Sequence, residues 1–364
     1  MSRQLNMLQA STIVLTSGGL WNHVILIPIL LDIAGRDAWL SIAVSLVPNI
    51  LWLTLLYWII RRSGQQPLFL WLGQSAGKGY SLAVRAVVFV LLTVTCAVTV
   101  KDTVDWAVAS YLPETPPIAL ALLLVPLCYF AARSGIMSIA IMAGILLPVI
   151  VLLGYFVMGA NFPNKDYTRL LPVLEDGMGP MLRGLAYACS SFVELIMIVL
   201  FQHHIRSRIK WWQLAVLGFL MMGLTLGPTT GSIAEFGAVE GSKHRYPAFE
   251  QWKLVIIQRF IERVDFFSIY QWFAGAFIRL ALGMYLIGEL SGFKGKTHKS
   301  IFLMLLSAGY ILMMLIPWSD IQFYDWLKKI YIPGSLIALA LLTVLLIIAA
   351  ILRKKGAPAN DPLG

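Results

Sequence analysis

Glu194 is the one carboxyl group in the apolar run Gly184–Phe201, and it closes a polar series of Tyr187, Ser190, Ser191 and Glu194. The spacing i, i+3, i+4, i+7 puts all four on one face of a regular helix. An acid inside an apolar span is costly and marks function by default. Three roles are open to it: binding a substrate ammonium, carrying a proton, or pairing with a cation from another helix. The matching cation is Arg279, in the series Gln271, Gly275, Arg279 and Gly283. Glycines at that spacing let helices approach closely. Glu194 is the expected partner of Arg279, with Asp102 second. Such a pair would fill with protein the position a coupling cation takes in many transporters.

A second group lies near the N-terminus, where Gly18, Gly19, Trp21, Asn22 and His23 precede Pro28. Glycine pairs and a downstream proline weaken a helix. A broken helix frees backbone groups that a bound zwitterion could satisfy. The plainer alternative is a kinked packing helix with polar residues at a helix contact. Thr95 and Thr99 stand one to two turns before Lys101, Asp102 and Asp105. Lys101 and Asp105 are four apart and can pair, lining an outer vestibule, with the threonines deeper. HExxH, CxxC and P-loop motifs are absent from the sequence, so neither an enzyme nor a cofactor or metal is expected. Cys96, Cys128 and Cys189 sit in apolar runs as packing residues, and His203–His204 read as a headgroup contact.

The elements that must hold these residues are membrane helices. The 364 residues are 59% hydrophobic and 13% charged, with mean hydropathy +0.79. A soluble chain carries about 25% charged residues. Apolar stretches of about 20 residues cross a bilayer as helices. Ten are expected: Ser11–Leu31, Trp39–Ile60, Leu82–Tyr111, Ile118–Ala132, Ile136–Gly159, Gly184–Phe201, Trp212–Phe236, Phe266–Leu290, Ile301–Pro317 and Ile330–Leu352. Arg61, Arg62, Lys78, Arg133, Arg206, Arg208, Lys210, Lys294, Lys296, Lys299 and Arg353–Lys355 fall on one side with Arg3. Positive-inside reasoning makes that side cytoplasmic, with both termini inside. The net charge of +10 is thus a topology signal, and a nucleic-acid role is excluded for want of a solvated basic domain. Residues 1–364 form one transmembrane domain. Ten helices divide into five plus five, about 1–160 and 184–352, with a cytoplasmic tail at 353–364. An odd-numbered set repeated in tandem gives an inverted repeat, with the first helix of each half, one and six, broken.

Two outer loops are long, Ala160–Arg183 and Gly237–Asp265. Within Phe249–Phe267, residues Trp252, Ile256, Phe260, Val264 and Phe267 make one apolar stripe. That predicts an amphipathic helix on the outer face, either an interfacial anchor or a lid. Glu262, Arg263 and Asp265 would border the vestibule with Lys101 and Asp105.

Several segments together resemble the endospore germination permease family, the B subunits of nutrient germinant receptors. Pro28 followed by Ala34-Gly35-Arg36-Asp37-Ala38-Trp39 is similar to its "P…AG-x-D-x-W" stretch. Leu112-Pro113-Glu114-Thr115-Pro116 resembles "LPxTP", and Leu170–Pro180 resembles "LLPVLxxGxxP". Ser191-Phe192-Val193-Glu194 is similar to "SFxE", and Phe260–Asp265 to "FxERxD". The resemblance is collinear from helix one to helix eight. It implies an amino acid/polyamine/organocation transporter (LeuT-like) fold in the spore inner membrane. It also implies a nutrient ligand such as an amino acid or sugar, a membrane A subunit and a lipoprotein C subunit as partners, and germination as the output. The chain departs from the family where Trp21-Asn22-His23 replaces a glycine-containing turn, which would narrow a pocket there. It departs again where Gln202 stands in place of a proline.

Three functions compete on these residues. A receptor subunit would bind a nutrient and bias its partners through unequal affinity for two states. A proton-coupled amino acid permease would use Glu194 or His23 to carry the proton. A structural subunit would keep only a vestigial cavity.

Overall fold

A computed structural model describes residues 4–256, 263–293 and 295–352 of the chain. Among these residues the fold is helical, and the one extended pairing is a parallel bridge between Leu5 and Ile205. The first helix, α1 (Met7–Leu20), starts at a reciprocal cap. Asn6 Oδ1 accepts from the Gln9 amide at 2.8 Å, and Gln9 Oε1 accepts from the Asn6 amide at 2.9 Å. Two otherwise orphaned donors are satisfied, a feature worth about 1 kcal/mol. A π-helical turn, Trp21–Ile25, continues into α2 (Leu26–Ala34). Gly35 at φ +55° then breaks the run before α3 (Ala38–Ser63). A side chain at that φ is strained, so glycine suits the turn. Gly64, in the left-handed region at φ +62°, ends α3.

The remaining helices are α4 (Leu68–Ala76), α5 (Lys78–Ser110), α6 (Pro117–Ser134), α7 (Ile136–Ala160) and α8 (Met178–Cys189). A 3-10 stretch, Ser190–Ile196, joins α8 to α9 (Met197–Phe201). Then come α10 (Trp211–Phe236), α11 (Ala238–Lys243), α12 (Pro247–Lys253), α13 (Phe267–Leu290) and α14 (Lys296–Met313). The last are α15 (Asp320–Trp326) and, after a π turn at Leu327–Tyr331, α16 (Ile332–Leu352).

Eight helical runs among the described residues are long and apolar enough to cross a membrane. The first, Met7–Ser63, has 57 residues and is divided at Gly35; α14 is not among the eight. At 1.5 Å per residue α5 extends about 50 Å, longer than the hydrocarbon core, as its long apolar run predicts. Helix α13 sits at the centre and packs on α1, α5, α6 and α7. Its regularly spaced glycines face two different neighbours. A Cβ on Gly275 would stand 3.3 Å from Leu20 Cβ, and one on Gly283 would stand 2.4 Å from Cys96 Sγ.

Two expectations need correction. The breaks in helices one and six are changes of pitch, to π at Trp21–Ile25 and to 3-10 at Ser190–Ile196, and the backbone stays helical through both. A 3-10 turn advances each residue further round the axis, so the face shared by Tyr187 and Glu194 in a regular helix is lost. The amphipathic helix Phe249–Phe267 is not continuous: α12 stops at Lys253, and Leu254–Ile256 and Arg263–Val264 are not helical. Trp252 and Val264 are buried against protein, while Ile256 is exposed. Phe260 and Glu262 lie outside the described residues.

The loop after α7 is pinned rather than free. Asp166 N donates to Ala234 O at 3.0 Å, and Arg169 Nη1 donates to Glu235 O at 2.7 Å. Leu174 N donates to Asp37 Oδ1 at 2.9 Å, and Arg36 pairs with Glu175.

Candidate functional site

A cavity of about 60 Å³ lies between α5, the α8–α9 segment, α13 and α16, with Trp21 on its rim. Its polar end holds Arg279, which is buried and has three different surroundings for its three nitrogens. Nη2 meets Glu194 Oε1 at 2.7 Å, Nε donates to Thr99 Oγ1 at 3.0 Å, and Nη1 is buried with no partner. Glu194 Oε2 accepts from Ser17 Oγ at 3.2 Å. Thr99 donates back to Thr95 O at 2.8 Å, and Thr95 Oγ1 shares a hydrogen bond with Tyr331 Oη at 3.0 Å. Trp21 covers this set: its ring lies 5.3 Å from the guanidinium carbon and edge-on to Tyr331 at 5.5 Å. The indole Nε1 donates to Ser190 O at 3.2 Å. One side chain from the π turn thus locks onto the 3-10 segment, so the two pitch changes meet across the site. A buried ion pair of this kind is costly to desolvate and strongly destabilising to break.

From Tyr331 an aromatic column leads away from the cavity. Tyr331 stacks on Trp326 at 5.5 Å, and Trp326 meets Trp318 edge-on at 5.3 Å. Lys101 Nζ donates to Trp318 O at 3.1 Å and pairs with Asp105 at 2.6 Å, as the spacing of four predicts. Beside it Arg245 joins Asp102 at 2.8 Å and Asp320 at 3.2 Å, and lies over the Tyr246 ring at 4.4 Å. Burial works against the Arg245 charge, but Asp102, Tyr246 and Asp320 outweigh it and hold its pKa above the usual arginine value. Asp102 therefore serves Arg245, and Arg279 takes Glu194.

Near the N-terminus Leu5 N donates to His204 O at 2.8 Å, and Arg206 N donates to Leu5 O at 2.9 Å. The chain ahead of α1 is thereby tied to the end of α9. His204 Nε2 shares a hydrogen bond with Tyr285 Oη at 2.9 Å. Ion pairs and aromatics thus cluster beside Tyr331, and the Leu5 bridge forms a strap across the end of α9.

Trp21, Thr95, Glu194 and Arg279 line the cavity, and Thr99, Ser190 and Ser17 bond to them. Gly18 lets α1 pass close to Met221 and Glu194: a Cβ there would stand 2.1 Å from Met221 Cε and 3.5 Å from Glu194 Cβ. Ser191 is buried, its hydroxyl unpartnered. Other expected site residues lie elsewhere. Asn22 Nδ2 donates to Met221 O at 3.4 Å, His23 faces the Leu224 backbone, and Gly19 has open space beside it. Tyr187 Oη donates to Lys328 O at 2.9 Å, in the π turn before α16. Gln271 accepts from Trp252 Nε1 at 3.0 Å and donates to Ile150 O at 2.9 Å, so it anchors α12. Asp265 accepts from Arg263 Nε at 3.1 Å and lies 3.3 Å from Tyr111 Oη, while Glu262 is outside the described residues.

Sequence reasoning missed Tyr331, Arg245 and Asp320 as site-related residues. Tyr331 carries no charge to flag it inside an apolar span. Arg245 sits in a polar outer loop, where a cation attracts no notice until its partner is buried.

Comparison with known proteins accounts for most of the chain. A family profile described as spore germination protein matches residues 11–321. Spore germination protein XB of Bacillus anthracis is 41% identical over 344 residues, covering 94% of this chain and 97% of that protein. Spore germination protein KB of Bacillus subtilis is 21% identical over 277 residues, covering 74% of each.

Proposed function

The chain belongs to the spore germination permease family, and from that membership we propose that it is the nutrient-binding B subunit of a germinant receptor. As an integral membrane protein of a permease family it is read as a receptor or transporter and not as an enzyme. In this proposal ten helices cross the spore inner membrane with both termini cytoplasmic. The first five and second five form a LeuT-like inverted repeat. The packing supports that reading: α3 lies on α10, α5 on α13 and α6 on α14, each pair mapping onto itself when the halves exchange. The short helices α4 and α11–α12 follow α3 and α10 at corresponding places. The pitch changes fall in the first crossing helix of each half.

The observation that carries the proposal is the Arg279–Glu194 pair beneath Trp21, at a cavity where the two irregular segments meet. A nutrient entering there would push on Trp21 and, through it, on Ser190. Differential affinity for two arrangements of these segments would then bias the A and C subunits. The pair also weighs against a proton-coupled permease, because both Glu194 oxygens are committed to Arg279 and Ser17. Lipid contact is provided by exposed apolar residues such as Leu123, Leu152 and Ile351.

The test is germination of spores lacking this gene, against a panel of amino acids and sugars, with complementation by Glu194→Gln and Trp21→Ala. Loss of the response to one nutrient, with altered sensitivity in both variants, is the expected result. Unchanged germination under every condition would overturn the proposal.

A further inference from the structure

Residues 38–101 and 195–234 contain no aspartate or glutamate, yet they carry Arg61, Arg62, Lys78, Arg206, Arg208 and Lys210. The fold brings parts of these two segments together. Gln65 Nε2 donates to Ser207 O at 3.2 Å, and Gln65 Oε1 accepts from Ile209 N at 2.8 Å. Gln202 Nε2 donates to Ser63 Oγ at 3.0 Å and to Gln66 O at 2.9 Å. The loop between α9 and α10 is thereby fixed beside the C-terminal end of α3. Ile205 and Ile209 are buried in it, while Arg206, Arg208 and Lys210 are exposed, the alternation of an extended chain lying on a surface. Among the described residues, Arg61, Arg206 and Lys210 join none of the ion pairs. Helix α10 begins here with no acid in its first turn, so its positive end adds to the field. The same two helices run from this basic end into exposed apolar surface. They approach closely at Leu53 and Gly218, where an added Cβ would stand 2.6 Å from Leu53 Cδ1. Flanking these two residues, Leu51 and Leu55 of α3 and Val216 and Phe219 of α10 are exposed. Trp211 Nε1 donates to Thr54 Oγ1 at 3.0 Å, and Arg62 lies over Trp58 at 5.6 Å. Indoles placed between cations and an aliphatic stretch of helix are the usual anchors at a headgroup boundary.

We propose that this end of the α3–α10 pair binds an anionic phospholipid, its phosphate at Arg61, Arg206 and Lys210 and its acyl chains along Leu51, Leu55 and Phe219. An acidic protein segment would answer the cations but leave the aliphatic surface unused. A zwitterionic lipid would cover the aliphatic surface but bring its own cation to the basic end. An anionic lipid meets both. The site needs only that the chain lies in a bilayer, and not that a nutrient binds. Arg206 also donates its amide to Leu5 O at 2.9 Å, so a lipid held here braces the strap across the end of α9.

The experiment titrates the full-length protein in detergent with dioleoylphosphatidylglycerol, dioleoylphosphatidylcholine or soluble glycerol 3-phosphate. Native mass spectrometry counts what is bound, and melting is followed alongside. The phosphatidylglycerol is expected to bind at least about tenfold more tightly than either of the others. Arg206→Gln with Lys210→Gln should weaken it about thirtyfold, at about fivefold for each cation beside an anionic headgroup. Arg133→Gln with Lys296→Gln removes the same charge at the ends of α6 and α14, and should weaken it far less, because exposed charges are screened over about 10 Å. Melting in phosphatidylcholine should match the parent for both double variants, which shows that they fold. The preference of the unmutated protein is read without any variant. Equal losses in the two double variants would mean that overall charge alone attracts lipid, and would overturn the site. Equal binding of the two phospholipids would overturn it too and leave the basic face to an acidic protein partner. Glycerol 3-phosphate binding as tightly as phosphatidylglycerol would make it a site for a free anion and not for a lipid.

Discussion

Arg279 of α13 and Glu194 of the 3-10 segment meet at 2.7 Å, both almost wholly buried. Each is the charge that makes the other tolerable in an apolar interior. Glu194→Arg or Arg279→Glu alone should therefore cost about 3–5 kcal/mol, the range for an uncompensated buried charge. The double reversal should recover a substantial part of the loss. Melting of the purified protein and its three variants gives the coupling directly. Additive losses in the double variant would mean that the two side chains do not pair.

Two glycines in helix interiors should respond differently to the same methyl group. At Gly184 an added Cβ would stand 2.6 Å from both Ala34 Cβ and Ser41 Oγ, short side chains fixed to the backbones of α2 and α3. At Gly18 it would stand 2.1 Å from Met221 Cε, the free end of a flexible chain. Alanine gains about 1 kcal/mol of helix propensity at either site. Overpacking costs about 1–3 kcal/mol where neighbours cannot yield. Gly184→Ala should lower the melting temperature, and Gly18→Ala should leave it nearly unchanged. The reverse order would place the tight contact at the wrong helix pair.

The pair at the centre was legible because lone charges in apolar runs have few possible partners. Glu194 and Arg279 needed each other on energetic grounds before any packing was known. The motif stretches were legible as a pattern but not as contacts. Asp37 and Leu174 come from two of them and meet in one hydrogen bond. The continuous helix Phe249–Phe267 was misread because a 3.6-residue period survives an interruption of the helix: Trp252 and Val264 face the protein, yet residues 254–256 between them are not helical. The pitch changes were legible only as weakness around Gly18, Gly19 and Pro28. Whether weakness becomes a coil or a π turn is decided by tertiary contacts such as the bond from Trp21 to Ser190 O.

Arg245 stands between two carboxylates of unequal burial. Asp102 is buried completely, whereas the Asp320 side chain is 43% exposed. Removing the cation strands Asp102 without solvent. Removing Asp320 takes away only the solvated member of the cluster. Arg245→Ala should cost several kcal/mol, and Asp320→Asn about 0–1 kcal/mol. Equal losses, measured by thermal unfolding, would show that the exposed carboxylate carries the network.

Gln271 ties α12 to the body of the protein by accepting from Trp252 Nε1 and donating to Ile150 O. Gln271→Ala leaves a buried indole N–H without an acceptor, at about 1–3 kcal/mol. The loss should be local. Amide hydrogen exchange in Pro247–Lys253 should quicken while α13 stays protected. Exchange that rises equally along α13 would mean that the contact supports the core and not the cap.

Leu5 holds the strap through its backbone alone, donating to His204 O and accepting from Arg206 N. Its side chain is fully buried, so packing and hydrogen bonding must be separated. Leu5→Pro removes the N–H and one bond of the bridge, whereas Leu5→Ala keeps both bonds and loses only packing. The reporter is a single cysteine at Leu200, on the wall of the cavity, in a background where Cys96, Cys128 and Cys189 are replaced. A strap that closes its end of the cavity predicts faster labelling from that side of the membrane in Leu5→Pro. Leu5→Ala should change the rate far less. Equal acceleration by both would assign the closure to the leucine side chain, and no acceleration by either would mean that the strap does not guard the cavity.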